Sequence, residues 1–251
     1  MRWKYAVHTI SWGNRPLEAI ARDVKEAGFA GAELFQHPSE LGGAHAIESA
    51  FRKEGVELVG IAAGSFRERC DFVREIAAIR GTTLSDPNLP YVYCDDWRDD
   101  LPQFKDAVAG GLRVALHPHM YKPVQNLQEA EAILEQNRSL LFLPDTAHLR
   151  VAGHDPVLAI RKFASRLAGV HLKSWREDVG RSFHFYARGF CELGQGDVDV
   201  HAVLEELMRL DFAGWLIVEL DLTNTPTQSA RTSLNWLRTV GKILEQSGER
   251  K

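Results

Sequence analysis

No stretch of this sequence is long and apolar enough to enter a membrane. Its uninterrupted apolar runs, such as Leu140-Leu141-Phe142-Leu143, fall far short of the ~20 residues that a spanning helix needs. The first residues, Met1 to Trp12, carry Arg2, Lys4 and His8. They form no continuous hydrophobic region, so no secretory signal is expected there. Cysteine is scarce: Cys70, Cys94 and Cys191 are widely spaced and odd in number. That excludes a disulfide framework and fits a reducing cytoplasm. Positive charge is not in excess, since 30 Lys and Arg face 34 Asp and Glu for a net charge of −4. A nucleic-acid partner is therefore not expected, and a small-molecule partner is. There is no low-complexity segment, no Pro/Gly/Ser-rich linker and no shift in composition, so residues 1–251 read as a single domain.

What is present is repetition. A short apolar run followed by an amphipathic one recurs eight times. The strand candidates are Lys4–Ile10, Gly31–Phe35, Val56–Ala63, Leu89–Cys94, Leu112–His119, Leu140–Thr146, Ala168–Ser174 and Trp215–Asp221. The helix candidates between and after them are Pro16–Ala27, Ala44–Glu54, Arg67–Arg80, Asp99–Ala109, Leu127–Gln136, Pro156–Arg166, Asp199–Leu210 and Gln228–Gln246. In the first helix Leu17, Ile20, Ala21 and Val24 share one face, Pro16 suits the start and Gly28 the stop. Eight units of about 31 residues predict an α/β fold of the (β/α)8 TIM-barrel type, which typically takes ~250 residues.

Side chains along a strand alternate between faces. The fifth strand sets Arg113, Ala115, His117 and His119 against Val114 and Leu116. The sixth sets Leu141, Leu143 and Asp145 against Leu140 and Phe142, and the seventh Gly169, His171 and Lys173 against Val170 and Leu172. The eighth sets Ile217, Glu219 and Asp221 against Leu216, Val218 and Leu220, and the second Gly31, Glu33 and Phe35 against Ala32 and Leu34. Each time one face is wholly apolar and the other turns polar toward the C-terminal end. In a barrel that polar face looks inward, and its C-terminal end is where active sites form. A single histidine there is ordinarily a hydrogen-bonded core residue. Four strands offering His117, Asp145, His171 and Glu219 at equivalent depth are different, because buried ionisable groups are costly unless paired or metal-bound. Two neutral nitrogens and two carboxylates balance a divalent ion. Mixed N/O ligation suits Mn2+ or Co2+ first, with Zn2+, Fe2+ and Mg2+ also admissible, and disfavours Ca2+.

The segments Leu116-His117-Pro118-His119-Met120, Asp145-Thr146-Ala147-His148-Leu149, Val170-His171-Leu172-Lys173, Gly194-Gln195-Gly196-Asp197 and Trp215-Leu216-Ile217-Val218-Glu219 resemble the xylose-isomerase-like TIM-barrel superfamily. Within it they are most similar to the inosose (2-keto-myo-inositol) dehydratases and their sugar isomerase and epimerase relatives. The resemblance is specific over residues 112–221 and looser over 1–65, where Gly31-Ala32-Glu33-Leu34-Phe35 fits the second strand. It implies His117, Asp145, His171 and Glu219 as metal ligands. It implies His148 as a substrate-contacting residue and places Glu33, His119 and Lys173 at other substrate-facing positions. The chain departs from the dehydratases at Tyr121-Lys122, at Ala147 and at Leu220-Asp221-Leu222, all near the expected substrate.

The first ligand position, often Glu in the isomerases and epimerases, is His117. A metal-bound neutral imidazole has its lone pair committed and is a poor base. That weakens a two-faced epimerisation. It favours one deprotonation beside a ketone followed by loss of a β-hydroxyl, in a keto-polyol or keto-sugar lyase; the alternative is a ketose isomerase or epimerase. Candidate bases are Glu219, His148 and Lys173, and candidate acids His119 and His148. His171 to Glu219 spans 48 positions, against 28 from His117 to Asp145, so the seventh loop is long. Its run Ser182-Phe183-His184-Phe185-Tyr186-Ala187-Arg188 reads as a lid bringing Arg188 or His184 to the substrate, or as a contact in a homo-oligomer. Gly194 to Asp197 reads as a turn leading to an N-cap at Asp199 rather than a phosphate loop. Cys94 is expected to line the mouth, with His8, Trp12 and His37 shaping it. The three-zinc DNA-repair branch of the superfamily is disfavoured, because Ile61 to Ser65 and Tyr91 to Cys94 lack its extra histidines.

Overall fold

A computed structural model of the protein describes residues 3–95, 97–182 and 186–248. The eight expected units are present. They are β1 (Lys4–His8) with α1 (Leu17–Ala27), β2 (Gly31–Leu34) with α2 (Gly43–Lys53), β3 (Glu57–Ile61) with α3 (Phe66–Arg80), and β4 (Tyr91–Cys94) with α4 (Trp97–Ala109). β5 (Val114–Leu116) is followed by α5 (Leu127–Gln136), and β6 (Leu141–Phe142) by α6 (Thr146–Val151) and α7 (Pro156–Lys162). β7 (Val170–Leu172) leads into a small insertion of β8 (Ser174–Trp175), α8 (Glu177–Ser182) and β9 (Phe190–Cys191), and then α9 (Val200–Arg209). β10 (Trp215–Val218) and α10 (Pro226–Gly248) complete the chain's repeat. Among the described residues no helix is long and apolar enough to cross a membrane.

The main sheet is parallel throughout, in the order β6-β5-β4-β3-β2-β1-β10-β7. Its two end strands meet through isolated parallel bridges, Phe142 with Leu167 and Asp145 with His171. These bridges join the ends of the sheet into a (β/α)8 barrel.

The alternation read from the sequence sorts the core into two parts. Val114, Leu116, Phe142, Val170, Leu172, Leu216 and Val218 pack outward under the helices. Ala6, Val59, Tyr91, Tyr93, Ala115, Leu143 and Ile217 fill the interior. The helices follow the same logic. α1 buries Leu17, Ile20, Ala21 and Val24, and Gly28 stops it in the left-handed conformation. α3 is opened by a capping box in which Ser65 and Glu68 satisfy each other's backbone N–H groups.

The strands end earlier than their apolar patterns. The pattern of the fifth run reaches His119 and that of the sixth Thr146, yet β5 stops at Leu116 and β6 at Phe142. Past those points the chain turns over the rim, and its polar groups bond locally. Asp145 becomes the N-cap of α6, accepting from Ala147 N and His148 N at 2.8 Å each. Cys94 differs from expectation as well: it is fully buried on the outward face, among the helix-facing residues. Tyr93, its neighbour of opposite parity, faces the mouth instead.

Candidate active site

The ionisable groups predicted from strand ends converge at the C-terminal mouth. His171, from β7, sits at their centre with no exposed surface. Its Nδ1 lies 2.5 Å from Glu219 Oε2 and its Nε2 2.7 Å from Glu33 Oε2. The Tyr93 hydroxyl is 2.8 Å from the same Nε2. Burial works against a charge on this ring, but Glu33 and Glu219 outweigh it and push the imidazole up to about 10. Glu33 also accepts from the Tyr91 hydroxyl. It therefore lies below the mouth, gripping the far side of His171, and does not line the cavity.

Lys173, two residues on, is also fully buried. Its Nζ lies 2.7 Å from Glu219 Oε1 and 2.5 Å from Asp221 Oδ1. Desolvation opposes its charge, but Glu219, Asp221 and Asp145 more than restore it, so the amine is held as a cation. Glu219 bridges Lys173 and His171. Burial alone would raise its carboxyl; Lys173 and its other neighbours hold it well below the usual range. Asp221 is pushed up to about 7, by burial first and by the nearby Glu219 charge, against the pull of Lys173.

The other half of the mouth is made of neutral imidazoles. His117 Nδ1 donates to Leu143 O at 3.1 Å, which leaves Nε2 as the free lone pair. Burial and the charged His171 bring His117 down to about 3. His119 Nδ1 donates to Met120 O at 2.5 Å and likewise keeps Nε2 free; burial, then Lys173, lowers it. His148 packs on His119 with ring centroids 3.8 Å apart. Burial and then His119 lower it well below its ordinary value.

Among the described residues, Asp145 Oδ2 and both ring nitrogens of His148 are buried without a hydrogen-bond partner. Such groups are costly to bury unless something satisfies them. Asp145 Oδ2 lies 3.9 Å from His171 Nδ1 and 3.9 Å from His148 Nε2. Burial lifts the Asp145 carboxyl to about 6. Candidate ligand atoms come within 4.8 Å of one another in two overlapping groups: Asp145, His171 and Glu219, and His117, Asp145 and His148. The four expected ligands are thus brought together around Asp145 rather than in one compact set, and His148 joins them. This donor set, with unsatisfied oxygen and nitrogen at its centre, fits a divalent metal ion.

A cavity of about 370 Å3 opens above, lined by His8, Ile10, Phe35, Tyr93, Asp95, His117, His119, Lys122, Glu219 and Asp221 among others. That size and mix of apolar and polar walls suit a small-molecule ligand. At its edge Asp95 binds Arg69 at 3.0 Å and Lys122 at 3.3 Å. Three participants were not singled out from the sequence: Tyr91, Tyr93 and Asp95. Their signal was present, since the period-2 rule puts 91, 93 and 95 on one face of the fourth strand. Of the outer candidates, His8 lines the cavity, Trp12 instead donates to Asp23, and His37 pairs with Ser39 and Glu68 beyond the rim. Arg188 is exposed and is not among the cavity residues, and His184 lies outside the described residues. The described part of the seventh loop is an anchored hairpin rather than a free flap: β8 and β9 pair antiparallel. Asp199 caps α9 through Ala202 N, as expected for a turn.

The xylose isomerase-like TIM barrel family model matches residues 86–240. An inosose dehydratase of Bacillus velezensis is 27% identical over 246 residues, covering 82% of this chain and 81% of that protein. An inosose dehydratase of Clostridium tetani is 33% identical over 121 residues, which span 44% of this chain and 41% of the relative. Among solved structures, the IOLI protein with a bound zinc atom superposes with a TM-score of 0.69 at 14% identity, covering 96% of this chain and 99% of that one. Fold and family match agree, and the chain belongs to the xylose isomerase-like TIM barrel family.

Proposed function

We propose that this protein is a lyase that removes water from a cyclic keto-polyol or keto-sugar, with 2-keto-myo-inositol as the first substrate to test. The observation that carries the reading is the split of the mouth into two electrostatic halves. A buried ammonium, Lys173, is fixed between Glu219 and Asp221, while His117, His119 and His148 stay neutral. Elimination beside a ketone needs both: positive charge where an oxyanion develops, and an uncharged base for the carbon-bound proton. The dehydratase relatives support the same class.

Asp145, His171 and Glu219, with His117 and His148 at hand, would hold a divalent ion. When bound it would polarise the ketone oxygen and acidify the neighbouring C–H. Mn2+ or Co2+ matches the mixed nitrogen and oxygen donors, and the zinc-bound neighbour supports a divalent ion in general. Glu33 orients His171 from behind, as a carboxylate commonly does for a ligating imidazole.

The remaining work falls to the residues at the cavity and directly beneath it. Lys173 is already charged and engaged, so it acts as a fixed cation rather than a base. Glu219 is held by two partners and has little basicity left. His119 lines the cavity, carries its proton on Nδ1 and presents Nε2. It takes the proton from the carbon beside the ketone. The same imidazolium then returns that proton to the departing β-hydroxyl. The C–H and C–O bonds break, a C=C bond forms, water leaves and His119 is restored. The His117 position carries no carboxylate for reprotonating the opposite face, which disfavours epimerisation. None of the three cysteines is in a disulfide, which fits the expected reducing cytoplasm.

The test is incubation of the metal-loaded protein with 2-keto-myo-inositol and related keto-polyols in D2O. A product lighter by one water is expected. An epimer with deuterium at one carbon and no loss of water would replace this reading with the epimerase one.

A further inference from the structure

The insertion after β7 is not needed to close the barrel, yet it is fastened onto the site. β8 begins at the residue after Lys173 and pairs with β9, setting Trp175 beside Phe190. Arg176 N donates to Gly189 O and Asp197 N to Trp175 O, each at 2.8 Å. Glu177 N donates to Asp197 Oδ2 at 2.8 Å. Gly189 approaches Trp175 so closely that a Cβ there would lie 2.4 Å from the indole Nε1. The hairpin can close only on a residue without a side chain.

This anchored hairpin delivers one ring to the active site. Phe190 is buried, and Lys173 Nζ lies over it, 4.2 Å from the ring centroid. The same ring meets His148 at 5.8 Å and 82°, an edge-to-face contact. His148 backs His119. An ammonium has three donor directions. Glu219 and Asp221 account for two on Lys173, and the ring covers the ammonium as well. An aromatic face attracts a cation most strongly where water is excluded, and a buried ring excludes it.

We infer that Phe190 is a positioning residue: its ring face holds the Lys173 ammonium in place, and its contact with His148 fixes the imidazole on which His119 rests. The roles of Lys173 and His119 rest on the dehydratase reading; the hold on Lys173 does not, and it is testable without substrate. Phe190→Leu keeps apolar bulk and removes the ring, Phe190→Tyr keeps the ring, and Phe190→Met serves if the leucine variant fails to fold.

Two readouts on the folded, metal-loaded protein separate positioning from mere filling. With acetic anhydride as the probe and peptide mass spectrometry as the readout, Lys173 should be protected in the wild type and Phe190→Tyr. In Phe190→Leu it should label about tenfold faster or more. In dehydration assays Phe190→Leu should lose about tenfold in kcat with KM little changed, and Phe190→Tyr should recover it. Equal labelling of Lys173 in the leucine variant and the wild type, or an unchanged kcat, overturns the inference. A wild type that dehydrates no keto-polyol overturns the dehydratase reading instead, and the labelling comparison then decides the inference alone.

Discussion

Asp145 and His171 are joined twice. Their backbones form a parallel bridge at the seam where β6 meets β7, and their side chains face each other with Oδ2 3.9 Å from Nδ1. The contact that completes the barrel is therefore also the centre of the candidate metal site. The bridge is an isolated one, outside the regular strand pairs. Asp145 is fixed instead by capping α6 with its other oxygen, which leaves Oδ2 aimed at the site without a partner of its own.

Metal content follows from that arrangement. The purified protein should bind about one divalent ion per chain after loading with Mn2+ or Co2+, one ion being what mixed His/carboxylate donors of this number hold. His171→Ala should abolish binding while the fold survives, because packing under the helices uses outward residues such as Val170 and Leu172. Elemental analysis with circular dichroism measures both. A loaded wild type without metal would remove the metal site from the mechanism.

Glu33 should matter to metal affinity without touching substrate. It is paired with His171 and Tyr91 below the cavity. Glu33→Gln should weaken the ion roughly 10–100-fold, as loss of an outer carboxylate behind a ligating imidazole generally does. Competition with a chelator reads this out. An unchanged affinity would mean that Glu33 only neutralises His171 in the metal-free protein.

His117→Glu tests why elimination is favoured over epimerisation. It restores a carboxylate at the first strand-end position while keeping a ligand. Dehydration should fall, and deuterium exchange with epimer formation in D2O should appear. If dehydration is unchanged, His117 is a ligand only and does not steer the outcome.

Acid stability should depend on a carboxylate far from the site. Glu206 of α9 is held by Arg209 and Arg161 at 2.6–2.9 Å. Hydrogen bonds from Arg209 first, then from Arg161, lower its carboxyl from 4.5 to about 2. A depressed folded-state value means stabilisation that is complete above the unfolded value of about 4.5 and lost as pH falls toward 2. Both arginines are about half exposed, so water screens part of the effect. Glu206→Gln should lower Tm at pH 7 by roughly 2–4 °C, corresponding to about 1 kcal/mol in a chain of this size. The gap to wild type should close between pH 4.5 and 2. A gap that persists at pH 2 would show that packing, not charge, holds Glu206.

The repeat of eight units, the faces of the strands and the set of strand-end residues that meets at the mouth were legible from Lys4 to Asp221 by local rules alone. A period of two decides which face a side chain takes, and a polar residue at the end of an inward face has few places to go but the mouth. Val114 and Leu116 against His117, or Val170 and Leu172 against His171, need no knowledge of the rest of the chain. What those rules do not contain is which strand end lies beside which, and at what height. Glu33 reaches His171 across more than a hundred residues, and the sequence marks both as inward without saying that one grips the other. Cys94 and Tyr93 differ by one step of the alternation, so a small error in where β4 sits exchanges wall for core. Phe190 carries no motif. It meets Lys173 only because β9 folds back on β8 and Gly189 lets the hairpin close on Trp175. Face is a property of successive residues. Neighbourhood is set by strand register and barrel closure, which exist only once distant segments have paired, and the tertiary structure alone could decide it.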